Sequence, residues 1–307
     1  MVLRQLEYLV ALAREKHFGR AAEACRVTQP TLSAAIQQLE MELGAPLIER
    51  GHRFVGLTPQ GALALEHAQK MLAEAEDMRR RLEEMDKGLA GRLRLGVIPT
   101  ALPIVSHLTA PFYARFPRVS VTVLSRTSQE IQRGIEEFEL DAGISYLDNE
   151  PMENVRVKPI YNEEYLFLTP ADGEFAALDT ITWKRAATAP LCLLTPDMQN
   201  RRIIDGVFRS VGATPKPSVE TNSIFNLVSH ASAGLWSSIV PRQLLQFFGI
   251  PANTRAIPLV EPQARRAIGY IAAARDPPPP LVRNLLAMPI PADIVALIKP
   301  AVRPGGR

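Results

Sequence analysis

The chain has 307 residues, of which 47% are hydrophobic and 22% are charged. This length favours two or three compact units, each with its own core, and the composition excludes a disordered or fibrous protein. The formal net charge of +3 is too small to identify a partner.

Cys25 and Cys192 are the only two cysteines of the sequence, and they lie far apart in apolar stretches. Such spacing favours buried thiols in a reducing compartment over a disulfide framework, and it predicts neither a metal site nor a cofactor. The first residues, MVLRQLEYLVALAREKHFGRAA, lack the features of a signal peptide, and no apolar run is long enough to cross a bilayer. We therefore expect a cytoplasmic protein without a membrane partner.

The first 58 residues have the pattern of three short helices followed by a hairpin. Apolar residues at helical spacing predict the first helix, and GRAAEAC predicts the second. In the third helix we expect Thr28 as N-cap, Pro30 in the first turn and Gly44 at the end. The segment LIERGHRFVG then reads as two extended pieces around Gly51. Residues 1–58 are thus predicted to form a winged helix-turn-helix.

A long helix is predicted from Thr58 to about Lys87, within a linker segment over residues 59–90. Apolar residues recur along it at heptad spacing, with methionines at every seventh position beside them. Packing onto the protein's own core is the less favoured interpretation, because a helix of about 45 Å cannot hide its seam on a small domain. The seam contains Leu65, Ala68, Leu72, Ala75 and Leu82, and the residues predicted to form a dimer contact are Leu65, Leu72, Ala75 and Leu82.

After Gly91 the pattern changes to alternating strands and helices. Its βαβαβ order predicts a parallel sheet with crossover helices, and a second α/β series begins near Tyr161. The fold class is therefore α/β with an all-α N-terminal part, and the C-terminal part is a two-lobed domain like that of periplasmic binding proteins. The predicted ranges are 91–295 for this domain, about 91–161 plus 267–295 for lobe I, about 162–266 for lobe II, and 296–307 for a disordered tail.

The segment FGRAAEACRVTQPTLSAAIQQLEMELGAPLIER resembles the winged helix-turn-helix of LysR-type transcriptional regulators, and LTPQG resembles the start of their linker helix. The C-terminal two thirds resemble the effector domain of that family in order and length. This resemblance implies a transcription factor that binds a double-stranded DNA operator as a homodimer or homotetramer. It also implies a small-molecule effector between the two lobes and, for an activator, contact with RNA polymerase.

In the family the third helix faces the bases, and the same role is implied for its uncharged face here. Glutamine can pair with adenine and threonine suits thymine, while flanking arginines contact phosphates. Ala34 departs from the many family members that have arginine at this position. Without the resemblance, an ordinary solvated helix face would be the better interpretation. The implied DNA-binding residues are Gln29, Pro30, Thr31, Ser33 and Gln37 on the helix, and Arg20, Arg26, Arg50 and Arg53 around it.

Open α/β sheets bind ligands beyond the carboxyl ends of their strands, where helix N-termini offer free amides. Four loops at these ends are rich in hydroxyl and amide groups, and we expect them to meet around a small anion such as a carboxylate. Helix capping is the better explanation for any single Ser or Thr. The candidate effector-binding residues are Thr100, Ala101, Thr127, Ser128, Thr195, Met198, Gln199, Asn200, Arg201, Thr221, Asn222 and Ser223, with Tyr146, Asp148 and Asn149 as further lining.

The stretches YLDNEP, LLTPDMQNRR and ETNS also resemble a subgroup of LysR regulators of formate dehydrogenase operons, which implies a formate effector. Two alternatives use the same bilobal α/β domain, namely an enzyme and a transport-type binding protein. The five histidines show no metal-ligand spacing, and the sequence has no Walker loop and no nucleophile elbow. We therefore expect a regulator rather than an enzyme.

Overall fold

A computed structural model describes residues 1–50, 54–152, 154–292 and 294, and of Arg50, Asp86 and Lys87 the backbone alone. The chain divides into two compact units, Met1–Gly88 and Leu89–Arg307. The predicted tail over residues 296–307 lies outside the described residues.

The first unit is a three-helix cluster with a hairpin and a long helix. The sequence features that predicted α3 are present, since Thr28 Oγ1 accepts from the amide of Thr31 at 3.4 Å and Gly44 ends the helix with φ of 68°. Thr58 caps the long helix by accepting from the amide of Gly61 at 2.9 Å. The elements are α1 (Leu3–Glu15), α2 (Phe18–Ala24), α3 (Gln29–Leu43), β1 (Ile48–Arg50), β2 (Phe54–Leu57) and α4 (Pro59–Lys87).

The first half of α4 belongs to the apolar core of this unit. Ala68 is 1% exposed, and Leu72 packs against the same core as the buried leucines of α1 and α3. The expectation that the seam avoids the protein's own core is therefore wrong for these two residues. Farther along, Met78, Leu82 and Met85 are exposed, Leu82 to 60%. Only the second half of the seam is left uncovered within this unit.

The first turn of α4 lies very close to the chain that enters the hairpin. A Cβ atom at Gly61 would stand 1.9 Å from the carbonyl oxygen of Leu47, a distance that no side chain can occupy. Thr58 Oγ1 also donates to the carbonyl of Pro46 at 2.6 Å. The start of α4 is thus in direct contact with the chain segment that leads into the hairpin.

The second unit is built on a mixed sheet with helices on its faces. Its strands are β3 (Gly91–Val97), β4 (Val119–Ser125), β5 (Ala142–Tyr146), β6 (Val155–Pro170), β7 (Ile181–Thr182), β8 (Leu191–Leu194), β9 (Val219–Thr221), β10 (Ser237–Pro241), β11 (Thr254–Val260) and β12 (Arg265–Ala273). Its helices are a 3₁₀ helix (Pro99–Ile104), α5 (Val105–Arg115), α6 (Ser128–Glu136), α7 (Trp183–Ala186), α8 (Gln199–Ser210), α9 (Ile224–Ser232), α10 (Arg242–Phe248) and α11 (Pro280–Ala287).

The strand order of this sheet is β4-β3-β5-β12-β6-β10-β8-β9, with β11 beside β6 and β7 beside β11. The strands β4, β3 and β5 are parallel, which confirms the predicted βαβαβ order with α5 and α6 as crossovers. The second series, β10, β8 and β9, is also parallel. The antiparallel pair β6 and β12 joins the two series, and the predicted lobe boundary at residue 161 falls inside β6.

Helices on both faces explain why the strands read as apolar runs. All five residues of β5 and all four of β8 are buried. Gly143 of β5 admits helix α6, because a Cβ atom there would lie 2.3 Å from the side chain of Ile131. Among the buried polar residues of the described strands, Glu163 of β6 carries an ionisable carboxyl group and is 0% exposed. This buried carboxyl group adjoins the candidate site.

Candidate functional site

The solvent-facing side of α3 presents uncharged polar side chains. Leu32, Ile36 and Leu39 are buried in the core, which leaves the predicted reading face pointing outwards. Of that face, Gln29, Pro30, Thr31 and Gln37 are exposed and Ser33 is half-buried. The exposed glutamines and threonine present hydrogen-bond donors and acceptors of the kind that read base edges.

Two of the four predicted phosphate-contacting arginines, Arg20 and Arg26, have described side chains. Arg20 in α2 and Arg26 after α2 are both exposed, and Arg26 has a left-handed backbone with φ of 56°. Arg20 donates to the carbonyl of Glu15 at 2.6 Å, and neither arginine forms an ion pair among the residues described. Arg53 lies outside the described residues, and of Arg50 only the backbone in β1 is described.

In the second unit a small recess lies beyond the carboxyl ends of β3, β4, β5 and β8. Its volume is about 10 Å³, which is about the least that holds one water molecule. The lining consists of Ile98, Pro99, Thr100, Thr127, Ser128, Tyr146, Leu194, Met198, Gln199 and Asn200. Three of the four predicted loops therefore meet at one place.

Two helices begin at this recess, α6 at Ser128 and α8 at Gln199. Their first turns carry unpaired amides and the positive ends of helix dipoles, which attract anions. The hydroxyl of Thr127 caps α6 by accepting from the amide of Glu130 at 3.2 Å. The hydroxyl of Ser128 is buried and has no hydrogen-bond partner within the described part of the chain. Its hydrogen-bonding capacity is therefore unused among the described residues.

Behind the recess is a buried polar cluster centred on the hydroxyl of Tyr146. This hydroxyl donates to Glu163 Oε1 at 2.6 Å and accepts from Asn200 Nδ2 at 3.0 Å. Thr100 Oγ1 lies 3.2 Å from the same hydroxyl oxygen. Burial raises the pKa of Glu163 to about 7, although the hydrogen bond from Tyr146 opposes that shift. The carboxyl group is thus poised between its ionised and neutral forms near neutral pH.

Several predicted effector-binding residues do not reach the recess. The side chain of Arg201 is held by Asp205 at 2.9 Å, by Glu220 at 2.5 Å and by the carbonyl of Leu194 at 2.7 Å. Its guanidinium group is therefore engaged and does not face the recess. Thr195 and Ala101 also lie outside the lining, the latter buried in the core.

The expectation that four loops converge is wrong for the loop that contains Thr221, Asn222 and Ser223, because none of the three lines the recess. Thr221 Oγ1 instead accepts from the amide of Ser223 at 3.2 Å and from Asn226 Nδ2 at 3.1 Å. This is local bonding at the start of α9, the simpler explanation for a Thr or Ser in such a loop.

Sequence reasoning missed Glu163 and its neighbours in β6. The signal was present in YNEEYLFL, where a strand with alternating sides places Glu163 on the same side as Tyr161 and Tyr165. The two tyrosines beside Glu163 mark this side of the strand, although the sequence does not show whether that side is buried. Of the further lining residues, Tyr146 is at the recess, whereas Asp148 and Asn149 are exposed.

The described ranges contain no group of three or more His, Cys, Asp and Glu residues that could hold a metal ion. Within the same ranges, none of the helices combines the length and the apolar character that crossing a membrane requires.

Two family descriptions match the chain. Residues 3–62 match the bacterial regulatory helix-turn-helix protein of the lysR family, and residues 86–288 match the LysR substrate binding domain. The first match covers α1 to the start of α4, and the second covers the sheet that contains the recess.

Similar proteins span nearly the same length. The dual regulator OxyR of Escherichia coli K12 is 28% identical over 277 residues, which is 88% of this chain and 89% of OxyR. The uncharacterized HTH-type transcriptional regulator YnfL of the same organism is 30% identical over 288 residues, covering 92% and 95%.

Solved structures of full-length regulators are also similar to this chain over nearly its whole length. A full-length OxyR variant from Pseudomonas aeruginosa is 30% identical with a TM-score of 0.74, covering 93% of this chain and 96% of that one. CbnR in complex with its target DNA is 21% identical with a TM-score of 0.65 over 97% and 99%, a likeness of fold.

These relatives are transcriptional regulators, so the alternatives of an enzyme and a transport-type binding protein are set aside. The chain belongs to the LysR family, as a DNA-binding transcriptional regulator with an effector-binding domain.

Proposed function

We propose that α3 reads an operator through its uncharged face, and that a small anion in the recess of the second unit sets the transcriptional output. One observation carries the effector part of this proposal. The first turns of α6 and α8 and the unpartnered hydroxyl of Ser128 converge on the same recess. Such an arrangement offers donors and positive dipole ends to a negative ligand.

The exposure of Gln29, Thr31 and Gln37 supports the operator part. Amides and hydroxyls carry base recognition, while Arg20 and Arg26 are available to phosphates. The absence of arginine at Ala34 leaves base recognition on α3 to these uncharged groups. In this proposal residues 1–58 bind DNA, residues 59–90 link the subunits, and residues 91–295 bind the effector in a cleft between lobes 91–161 plus 267–295 and 162–266.

The size of the recess supports a very small effector. A volume of about 10 Å³ admits about one water-sized group, so every carboxylate must widen the recess and the smallest must widen it least. Formate is the smallest of these and is the effector we propose to test first. Acetate and sulfate require the recess to widen further than formate does.

We propose that α4 pairs with the same helix of a second copy to form a homodimer, and that two dimers form a homotetramer. Met78, Leu82 and Met85 form an exposed apolar stripe, while Leu65 and Ala75 are half-buried. Replacing Leu82 with Glu introduces a charge into that stripe and is expected to shift the species seen by light scattering towards the monomer. Glu83→Gln is the matched control, and an unchanged mass for Leu82→Glu contradicts this contact.

Several relatives carry the name hydrogen peroxide-inducible genes activator. Peroxide reacts with thiolates, so a thiol response in this chain needs a cysteine with a lowered pKa. Burial raises the pKa of Cys192 to about 11, and burial also raises the pKa of Cys25. These environments argue against a thiol-based peroxide response.

Footprinting of the DNA beside the gene, followed by titration calorimetry, tests the proposal. We expect protection of paired half-sites and a change in the footprint with formate. Calorimetry is then run with formate, acetate, phosphate and sulfate. Heat only from neutral ligands, or a footprint that responds to peroxide and to no anion, contradicts the proposed effector class.

A further inference from the structure

The carboxyl group of Glu163 lies behind the recess and is connected to it by the side chains of Tyr146 and Asn200. Both side chains line the recess, and both lie within hydrogen-bonding distance of Glu163 Oε1, at 2.6 Å and 3.5 Å. Glu163 Oε2 has no partner among the described residues. A change of charge on Glu163 therefore alters the hydrogen bonding of Tyr146 and Asn200, which line the recess.

The protonation state of Glu163 sets the direction of these hydrogen bonds. While the carboxyl group is ionised it only accepts, so the hydroxyl proton of Tyr146 points away from the recess and towards Glu163. Tyr146 then presents only its oxygen lone pairs, which Asn200 and Thr100 can occupy. Once Glu163 is protonated it can donate to the oxygen of Tyr146, and the tyrosine proton is released to point into the recess.

An anion in the recess favours the second arrangement for two reasons. A second negative charge beside an ionised, buried Glu163 is repelled in a medium of low polarity. When the hydrogen bond between Glu163 and Tyr146 is reversed, the hydroxyl of Tyr146 also becomes a donor to the ligand.

The side chains that interact with Glu163 by hydrogen bonds are uncharged, so they stabilise its ionised form without neutralising the charge. Tyr161 and Tyr165 on its own strand and Tyr146 on β5 are neutral, because burial raises the pKa of each hydroxyl above its ordinary value. The 3₁₀ helix and α8 contribute the uncharged Thr100 and Asn200.

Arg266 is the cross-strand neighbour of Glu163 on β12. Its Nη1 atom donates to the carbonyl of Arg265 at 2.8 Å, and no ion pair to Glu163 is found among the described residues. Burial of an unpaired carboxylate favours its neutral form, and proton uptake by Glu163 is consistent with the raised pKa of this group.

We propose that the effector anion enters the recess together with one proton from solvent, which Glu163 holds while Tyr146 turns its hydroxyl towards the anion. This inference rests on the proposed function, because it concerns an anion in the same recess. Glu163 is a positioning residue in this scheme, since it acts on the ligand through Tyr146. The site thus takes up the equivalent of a neutral acid, although the ligand itself remains ionised.

The sign of the pH dependence follows from this linkage. Below the pKa of Glu163, about 7 in the free protein, the proton is already bound and the affinity for the anion is flat. Above it, each binding event must also take up a proton, so the association constant falls by up to about tenfold per pH unit.

Titration calorimetry of the full chain with sodium formate, between about pH 6 and about pH 9 in buffers of different ionisation enthalpy, counts the protons taken up. We expect proton uptake near zero at the acid end and approaching one per anion at the alkaline end. In Glu163→Gln the uptake is lost and the affinity no longer falls with pH. Glu164→Gln, which alters the next residue along β6, is the matched control and keeps the wild-type profile.

Tyr146→Phe provides a second variant, because it removes the relay and leaves Glu163 in place. We expect this variant to bind formate more weakly and to take up fewer protons per bound anion. If Glu163 has only a structural role, the number of protons taken up per anion does not change. Formate binding without proton uptake at any pH overturns this inference and leaves the proposed function standing. Absence of binding by formate, acetate, phosphate and sulfate at every pH overturns the proposed function itself.

Discussion

Two helices of this protein begin with glutamine, one in each unit, and they use the same chemistry in opposite ways. Gln29 opens α3 and is exposed, whereas Gln199 opens α8 and is 5% exposed. A second polar residue in the first turn of each helix shows the same difference in burial. Thr31 of α3 is exposed to solvent, while Asn200 of α8 is buried and bonded to Tyr146 at 3.0 Å.

In our proposal, burial rather than residue type separates the surface that binds DNA from the recess that binds a small ligand. An exposed amide keeps both its donor and its acceptor for DNA and adds little to the stability of the fold. A buried amide is already partly paired, so it is held in place and costs free energy when its partners are removed. Substitutions at the two sites should therefore affect different measurements.

The largest effect is expected for Arg201→Ala in α8. Removal of the guanidinium leaves Asp205, Glu220 and the carbonyl of Leu194 without their shared donor. We expect the free energy of unfolding in urea to fall by about 2 kcal/mol, below the value for a fully buried pair because the two acids are partly exposed. Arg202→Ala, which loses the more exposed pair with Glu150, serves as control with a loss of at most about 1 kcal/mol. A stable Arg201→Ala protein that no longer binds formate would show that the recess has been misplaced.

Gln29→Ala comes next and should affect DNA alone. We expect operator binding to weaken by roughly tenfold per subunit, with an unfolding free energy within about 0.5 kcal/mol of the wild type. The salt dependence of binding should not change, because no charge is removed. Gln38→Ala is the matched control, since Gln38 lies about two and a half turns farther along the same helix and points to the opposite side. Fluorescence anisotropy with the footprinted operator measures both, and equal losses for the two variants contradict the predicted reading face.

Adjacent residues at the start of α6 separate the two roles within one unit. Thr127→Ala removes a capping box and should lower the unfolding free energy by about 1 kcal/mol with little effect on formate affinity. Ser128→Ala removes an unpartnered buried hydroxyl, so we expect stability within about 0.5 kcal/mol and formate binding roughly fivefold weaker. If thermal melts and calorimetry give the reverse assignment, the hydroxyl of Ser128 does not face the ligand.

The smallest effect is expected from oxidation. With a pKa of about 11 for Cys192, roughly one thiol in ten thousand is ionised at neutral pH. Brief treatment with hydrogen peroxide should leave operator affinity unchanged in the wild type and in Cys192→Ala alike. A peroxide-dependent footprint that disappears in Cys192→Ala would favour a thiol response and count against an anion effector.

Local chemistry made much of the fold predictable. Thr28, Gly44 and Thr58 mark helix ends by hydrogen bonds that their own neighbours satisfy, and the βαβαβ order follows from strand and helix periods. Features that depend on residues far away in the sequence were harder to predict. The apolar spacing of α4 is the same whether a core or a second copy covers it, so the burial of Ala68 could not be distinguished from a dimer seam.

The same limit applies to the candidate site. Thr100, Ser128 and Asn200 were predicted from their positions at strand ends, and all three line the recess because parallel strands bring their carboxyl ends together. Arg201 was misjudged since its partner Glu220 lies nineteen residues farther along the chain. Glu163 was missed because alternation shows which side of a strand a residue occupies and does not show whether that side is dry.

The close approach at Gly61 has a consequence for how far this sequence can vary. With the carbonyl of Leu47 at 1.9 Å from any added Cβ, even alanine must push the hairpin strand away from the helix. In a saturation library selected for operator binding, position 61 should accept glycine alone, although its exposed neighbours Gln60 and Ala62 should accept many residues. A single missing carbon atom at position 61 thus lets the start of α4 lie directly against the backbone of the chain that enters the hairpin.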